Sequence, residues 1–291
     1  MSNIKNKLVA YIELLRPGWW LACFFIGLTP GMLAIFTNSG SLDDFIEFKT
    51  VIWAFAYWAS IVGIYVFNDV VGIKEDEIVN PKRPLPSGRA SKKIALVFSL
   101  IILTLAIFLW WYSFNNILSS IVQLSCIGII AVYSAIYKNN ILLGLGAGLI
   151  PVGVWIAFAP ISSITIALFL LIFFWELTLD VPENILHFEG DLKVHPKTFA
   201  IIIGKERFAK IGIIFALPVF AVVLWLFVLL DMNYIYLIFG LIGSLSIVYS
   251  QLSIRDNISP VNLGRSLGLV MFSMFMINIG LIVYTIVQTY F

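Results

Sequence analysis

The chain has 291 residues, of which 61% are hydrophobic and 12% charged, with a formal net charge of +2. Soluble domains run at about 45–50% apolar and about 25% charged, so a water-soluble globule, a disordered chain, a coiled coil and a disulfide-stapled secreted scaffold are all excluded. A polytopic membrane protein remains, and so small a net charge gives no ground for nucleic-acid binding.

In chain order, residues 4–16 (IKNKLVAYIELLR) place Lys5, Lys7, Glu13 and Arg16 among apolar positions. They read as a short amphipathic helix lying in the membrane interface, ended by Pro17, and not as a cleaved signal peptide. Nine apolar stretches follow, at roughly 18–37, 50–68, 93–112, 116–137, 141–159, 161–179, 210–230, 233–253 and 265–288. Each approaches the ~20 residues that a spanning helix needs. None alternates as a barrel strand does. The expected fold is therefore an all-α, polytopic membrane bundle of about nine transmembrane helices, read as one domain over 1–291. Cys23 and Cys126 both lie inside apolar runs and read as buried small hydrophobes.

With nine spans, the segments between them alternate between the two sides. One side, holding the N-terminus and the linkers 69–92, 138–140, 180–209 and 254–264, collects 17 of the 18 Lys and Arg residues. The other keeps Lys49, beside Asp43, Asp44, Glu47 and Asp231. Cytoplasmic loops carry the basic excess, so the N-terminus and the long linkers are expected in the cytoplasm and the C-terminus opposite.

Two of those linkers, 69–92 and 180–209, are long and densely charged, and they repeat a pattern: apolar helix, acidic helix end, basic loop. The first offers Asn68, Asp69, Glu75, Asp76 and Glu77, followed by Lys82, Arg83, Arg89, Lys92 and Lys93. Asp69 and Asp76 are seven apart and share a face if the helix continues. The second offers Glu176, Asp180, Glu183, Asn184, Glu189 and Asp191, then Lys193 and Lys197, and Asn184 and Asp191 repeat the spacing of seven. Carboxylate and amide oxygens suit hard cations such as Mg²⁺, which often share them with phosphate oxygens. Ionisable residues at membrane depth, here Glu176 and Asp180, are costly and mark function. Imidazole suits Mg²⁺ poorly, so His187 and His195 read as ordinary polar residues.

At this point the residues resemble a known family. NDVVGIKEDEIVNPKRPLPSG is similar to the first signature of the UbiA superfamily of intramembrane prenyltransferases, with Asn68, Asp69, Asp76, Asn80, Arg83, Pro84, Pro86, Ser87 and Gly88 matching. ENILHFEGDLKVHPKT resembles the second, through Asn184, Glu189, Gly190, Asp191, Lys197, Thr198 and, further on, Gly204. Smaller echoes are LLRPGWW, YSAIYK and GLGAGLIPVG. Each signature departs from the family at its central aspartate, which is Gly72 in the first and His187 in the second.

The resemblance implies Mg²⁺-dependent transfer of an isoprenoid chain from a prenyl diphosphate to a lipophilic acceptor, in a cavity capped by the two linkers. It implies a first metal–diphosphate site at Asn68, Asp69 and Asp76, and a second at Asn184, Glu189 and Asp191. Diphosphate contacts fall to Arg83, Lys138 and Lys197, and a deeper role in acceptor orientation or proton removal to Asp180 and Glu176. The expected partners are the two substrates and membrane lipid, with no obligate protein partner. A terpene cyclase of the same fold and a non-catalytic lipid-binding or transport relative are the alternatives.

Overall fold

A computed structural model describes residues 2–17, 20–39, 48–195, 198–231 and 233–290, apart from the side chains of 2–5, 21–25, 39, 48 and 49. Lys197, the side chain of Cys23 and the acidic stretch at 43–47 thus lie outside the described residues. The described chain is helical, without strands: α1 (Ser2–Leu14), α2 (Trp20–Ser39), α3 (Phe48–Val71), α4 (Ile73–Val79), α5 (Lys92–Phe114), α6 (Ile117–Ala135), α7 (Asn140–Phe158), α8 (Ser163–Leu186), α9 (Phe188–Val194), α10 (Phe199–Ile203), α11 (Lys205–Leu229), α12 (Tyr234–Arg255) and α13 (Pro260–Tyr290).

Each of the nine expected stretches falls in a long helix. Eight of these, α3, α5–α8 and α11–α13, are long and apolar enough to cross a membrane. In α2 the described apolar stretch is the shorter Ile26–Asn38. Short polar segments start the spans. Asn116 accepts from the Ser119 amide, Asn139 from Ile141 and Leu142, and Asn233 from Ile235 and Tyr236, each satisfying amide groups that the first turn leaves free.

Helices α2, α3, α6, α7, α8 and α13 pack in a ring, each against the next, with α3 against α6 and α8 against α13. Helices α5, α11 and α12 pack outside it. Their outward faces, with Ile101, Phe108, Ile214, Val228 and Ile238 all more than half exposed, are apolar, as a lipid-facing surface requires. Polar side chains staple the ring: Gln123 donates to Ser60 Oγ (2.9 Å), Ser119 Oγ to the Gly153 carbonyl (2.6 Å) and Trp175 Nε1 to the Val270 carbonyl (2.9 Å). Cys126 is buried at 3% exposure, as expected of a small hydrophobe.

The largest difference from the sequence reading is in α8, expected to end near 179 and running to Leu186. Pro182 lies inside it and has no N–H for the carbonyl of Thr178. That carbonyl instead accepts from Gln251 Nε2 of α12 (3.2 Å). A neighbouring helix thus supplies the missing donor, and Asp180, Glu183 and Asn184 ride on a continuous helix rather than on a loop.

The repeat seen as a charge pattern is also a backbone repeat. After α3 the chain breaks at Gly72 (φ −82°, ψ 5°) and restarts as the seven-residue α4; after α8 it breaks at His187 (φ −89°, ψ 1°) and restarts as the seven-residue α9. These short helices close at Asn80 (−132°, 55°) and His195 (−130°, 64°) and pack on each other across one end of the ring.

Candidate active site

The two breaks place both acidic segments at the mouth of one open-ended cavity. Its depth is walled by apolar and aromatic residues of the ring, among them Ile61, Tyr57, Tyr133, Ala147, Ile172 and Trp175. Its mouth carries Arg16, Asn68, Glu75, Asp76, Arg83, Lys138, Asn184 and His187.

On the first side, Arg83 Nη1 donates to both oxygens of Asp76 (2.8 and 2.9 Å) and lies 3.7 Å from Asp69. Arg16 Nη2 donates to Asp69 Oδ1, and its guanidinium lies 4.8 Å from the centre of the Tyr65 ring. Asn80 donates to Asp76 (3.2 Å). The loop carrying Arg83 is held rigid. Its Ser87 hydroxyl donates to the Arg83 carbonyl (2.6 Å), the Ala90 amide to the Pro84 carbonyl (2.9 Å), and Arg89 forks onto Glu13 of α1 (2.9 and 2.7 Å). Beneath it Leu85 and Ala90 are buried against Ala10 and Leu14 of α1 and Val62, Val66 and Val70 of α3. One side of α1 is therefore a buttress of the motif loop, while Leu8, Val9 and Ile12 remain exposed on it.

On the second side, Lys138 Nζ, from the α6–α7 connection, donates to Glu75 (3.0 and 2.9 Å) and to Asp191 Oδ1 (2.7 Å). His187 Nδ1 lies 2.7 Å from Glu75 Oε1. Burial alone would raise the Glu75 pKa, but the His187 hydrogen bond and the Lys138 ammonium outweigh it and bring it down to about 2. Glu75 is thus a carboxylate throughout the neutral range.

Asp69, Asp76, Asn184 and Asp191 are all buried near the mouth, but Asp69 and Asp191 do not themselves line the cavity; the cations bound to them do. Glu189, expected among the metal ligands, is not brought to the site. Its side chain is 70% exposed and lies 3.8 Å from Lys205, because α9 turns positions 187, 190 and 191 toward α4 and position 189 away. Asp180 is buried deeper, accepting from Asn140 Nδ2 (2.7 Å), and Glu176 lies one turn further along the same wall. Arg16 is the functional candidate that the sequence reading left without a role, and Glu75, read there only as one oxygen ligand among several, is bonded to Lys138 and His187. The signal for Arg16 was its place in LLRPGWW, and for Glu75 its position three residues after the missing aspartate.

At the mouth Glu75 and Asp76 meet three permanent cations (Arg16, Arg83, Lys138), with Asp69 and Asp191 buried behind them. The hard oxygen donors of Asn68, Asp69 and Asp76 suit a divalent cation. Among the described residues no cluster of three acidic, His or Cys side chains is arranged to enclose an ion unaided, so a bound Mg²⁺ would complete its coordination with water or with the oxygens of a bound anion.

A ring of membrane-length helices around a cavity apolar in its depth and charged at its mouth defines an intramembrane protein that takes an amphiphile by its anionic head. More particularly, the chain belongs to the UbiA prenyltransferase family, whose model matches residues 15–285. It is accordingly an integral, multi-pass membrane prenyltransferase. A digeranylgeranylglyceryl phosphate synthase of Thermococcus kodakarensis is 30% identical over 214 residues, covering 72% of this chain and 74% of that one. A protoheme IX farnesyltransferase of Neorickettsia sennetsu is 30% identical over 175 residues, 57% of this chain and 56% of that one. Among solved structures, a UbiA homologue from Archaeoglobus fulgidus bound to GPP and Mg²⁺ has the same fold, with a TM-score of 0.62 at 18% identity over 92% of this chain and 99% of that one.

Proposed function

We propose that this cavity is where the chain transfers an isoprenoid unit from a prenyl diphosphate to a lipophilic acceptor. The observation that carries this is the joining, in one cavity, of an apolar depth to a mouth of three cations and paired acidic motifs. The donor's tail fits the first and its diphosphate the second. Arg83, Arg16 and Lys138 clamp the diphosphate, with Lys197 a further contact by its place in the motif. Asn68, Asp69 and Asp76 would hold Mg²⁺, which would supply charge neutralisation to the departing diphosphate. Arg16 and Arg83 stand at the mouth beside Asp69 and Asp76, where their guanidinium groups meet the charge that develops on the leaving oxygen. Apolar walls keep water from the allylic cation, and ring faces such as Tyr57 and Tyr133 favour it. The allylic C–O bond breaks, a bond forms to the acceptor's nucleophilic atom, and Asp180 or Glu176 takes the proton that atom releases. In this reading the mouth and the N-terminus face the cytoplasm, which the excess of basic residues on that side supports.

The test is turnover of a prenyl diphosphate in membranes with and without a panel of lipid and aromatic acceptors. Asp69→Ala and Asp191→Ala are each expected to abolish Mg²⁺-dependent turnover while the protein stays folded in the membrane. If both retain activity, the chemistry lies elsewhere. Diphosphate release with a cyclic hydrocarbon and no acceptor would mean a cyclase.

A further inference from the structure

Resting on that reading, we propose that Lys138 is the resident cation of the second acidic motif, and that the site takes one divalent ion, at the first motif, rather than one at each. The ammonium of Lys138 sits within 3.0 Å of three carboxylate oxygens drawn from Glu75 and Asp191, which is the arrangement of a cation among its ligands. It is 14% exposed and lines the cavity, whereas Asp191 is fully buried and off the cavity wall. An ion at the second motif would therefore have to displace Lys138 to reach Asp191.

The exchange of residue at 187 agrees with this. His187 points at Glu75, Nδ1 to Oε1 at 2.7 Å. An aspartate there would set two carboxylates side by side, a geometry that repels unless a cation bridges it. A histidine makes the same contact attractive with no ion between. His187 is thus a positioning residue: it holds Glu75 against Lys138, and Glu75 supplies the charge that Gly72, one turn earlier, does not.

The first motif differs. Arg83 is 34% exposed on a loop and within hydrogen-bonding distance of one carboxylate, Asp76. It can turn to the diphosphate and leave the oxygens of Asp76, which lines the cavity, to an ion, while Asp69 behind it stays paired with Arg16; Lys138 is fixed by three bonds.

The experiment counts Mn²⁺ by electron paramagnetic resonance on the full chain in detergent, with an uncleavable geranyl methylene-diphosphate. One bound Mn²⁺ per chain is expected, rising to two in His187→Asp and in Lys138→Gln. Two Mn²⁺ in the natural protein, or one in all three proteins, overturns the proposal while prenyl diphosphate binding stands. If the analogue does not bind with Mn²⁺ present, the donor reading fails and this inference with it.

Discussion

Arg16 shows how a residue can be essential to a site without belonging to either acidic motif. It enters from the segment between α1 and α2, pairs with Asp69 and lies against Tyr65. Charge-assisted hydrogen bonds contribute about 1.5–3 kcal/mol, so Arg16→Met is expected to cost about 10- to 150-fold in kcat/KM for the prenyl diphosphate, measured at saturating acceptor. Gly88 is a plainer case. Its φ of +71° lies in the left-handed region, and a Cβ there would touch nothing within 4 Å. Gly88→Ala should therefore lose roughly 1–2 kcal/mol through backbone strain alone, read as a lower midpoint of thermal unfolding in detergent. The spacing of seven set Asp69 with Asp76 and Asn184 with Asp191 on the expectation of a continuous helix; the structure brings all four near the mouth although the helix breaks between the members of each pair, at Gly72 and His187. The sequence did not carry Glu189, whose direction depends on the break at His187, nor the Lys138 network, which joins three segments distant in sequence.

Among the elements, α4 and α9 depend on close approach. A Cβ on Gly190 would lie 2.6 Å from Val79 Cγ2 and 2.9 Å from Glu75 Cγ. Gly190→Ala must push Glu75 from Lys138, with an expected loss of about 1–3 kcal/mol and of most turnover, checked by unfolding and by assay on the same preparation. The second element-level device is the bond from Gln251 to the carbonyl that Pro182 leaves open. Gln251→Leu should cost about 1–3 kcal/mol by stranding that carbonyl. Pro182→Ala restores an N–H on α8 and should remove most of this cost, so a double-mutant cycle is expected to give a clear coupling energy. The long apolar helices were legible from composition alone. The extension of α8 to Leu186 was not, because Pro182 and a polar run both read as a helix end, and the donor that overrides them lies some seventy residues on, in α12.

For the whole molecule, the apolar stretches gave the expected spans, and the distribution of basic residues an expected orientation. The orientation is checked by labelling. In a chain with Cys23 and Cys126 replaced by serine, Ser87→Cys should react with an impermeant maleimide from the cytoplasmic face only. The ring of six helices around a cavity, with α5, α11 and α12 outside it, was not legible: apolar positions facing lipid and those facing a cavity look alike in sequence. The cavity itself has a thermodynamic consequence. Its walls are open towards its interior and its mouth carries carboxylates and permanent cations together, so what it binds adds contacts to the fold. Folding and occupancy are therefore linked quantities. A donor analogue and Mg²⁺ at about a hundred times the dissociation constant should add about 2.7 kcal/mol to stability. The unfolding midpoint should then climb with the logarithm of donor concentration, so that heat alone can rank donor chain lengths before any acceptor is known.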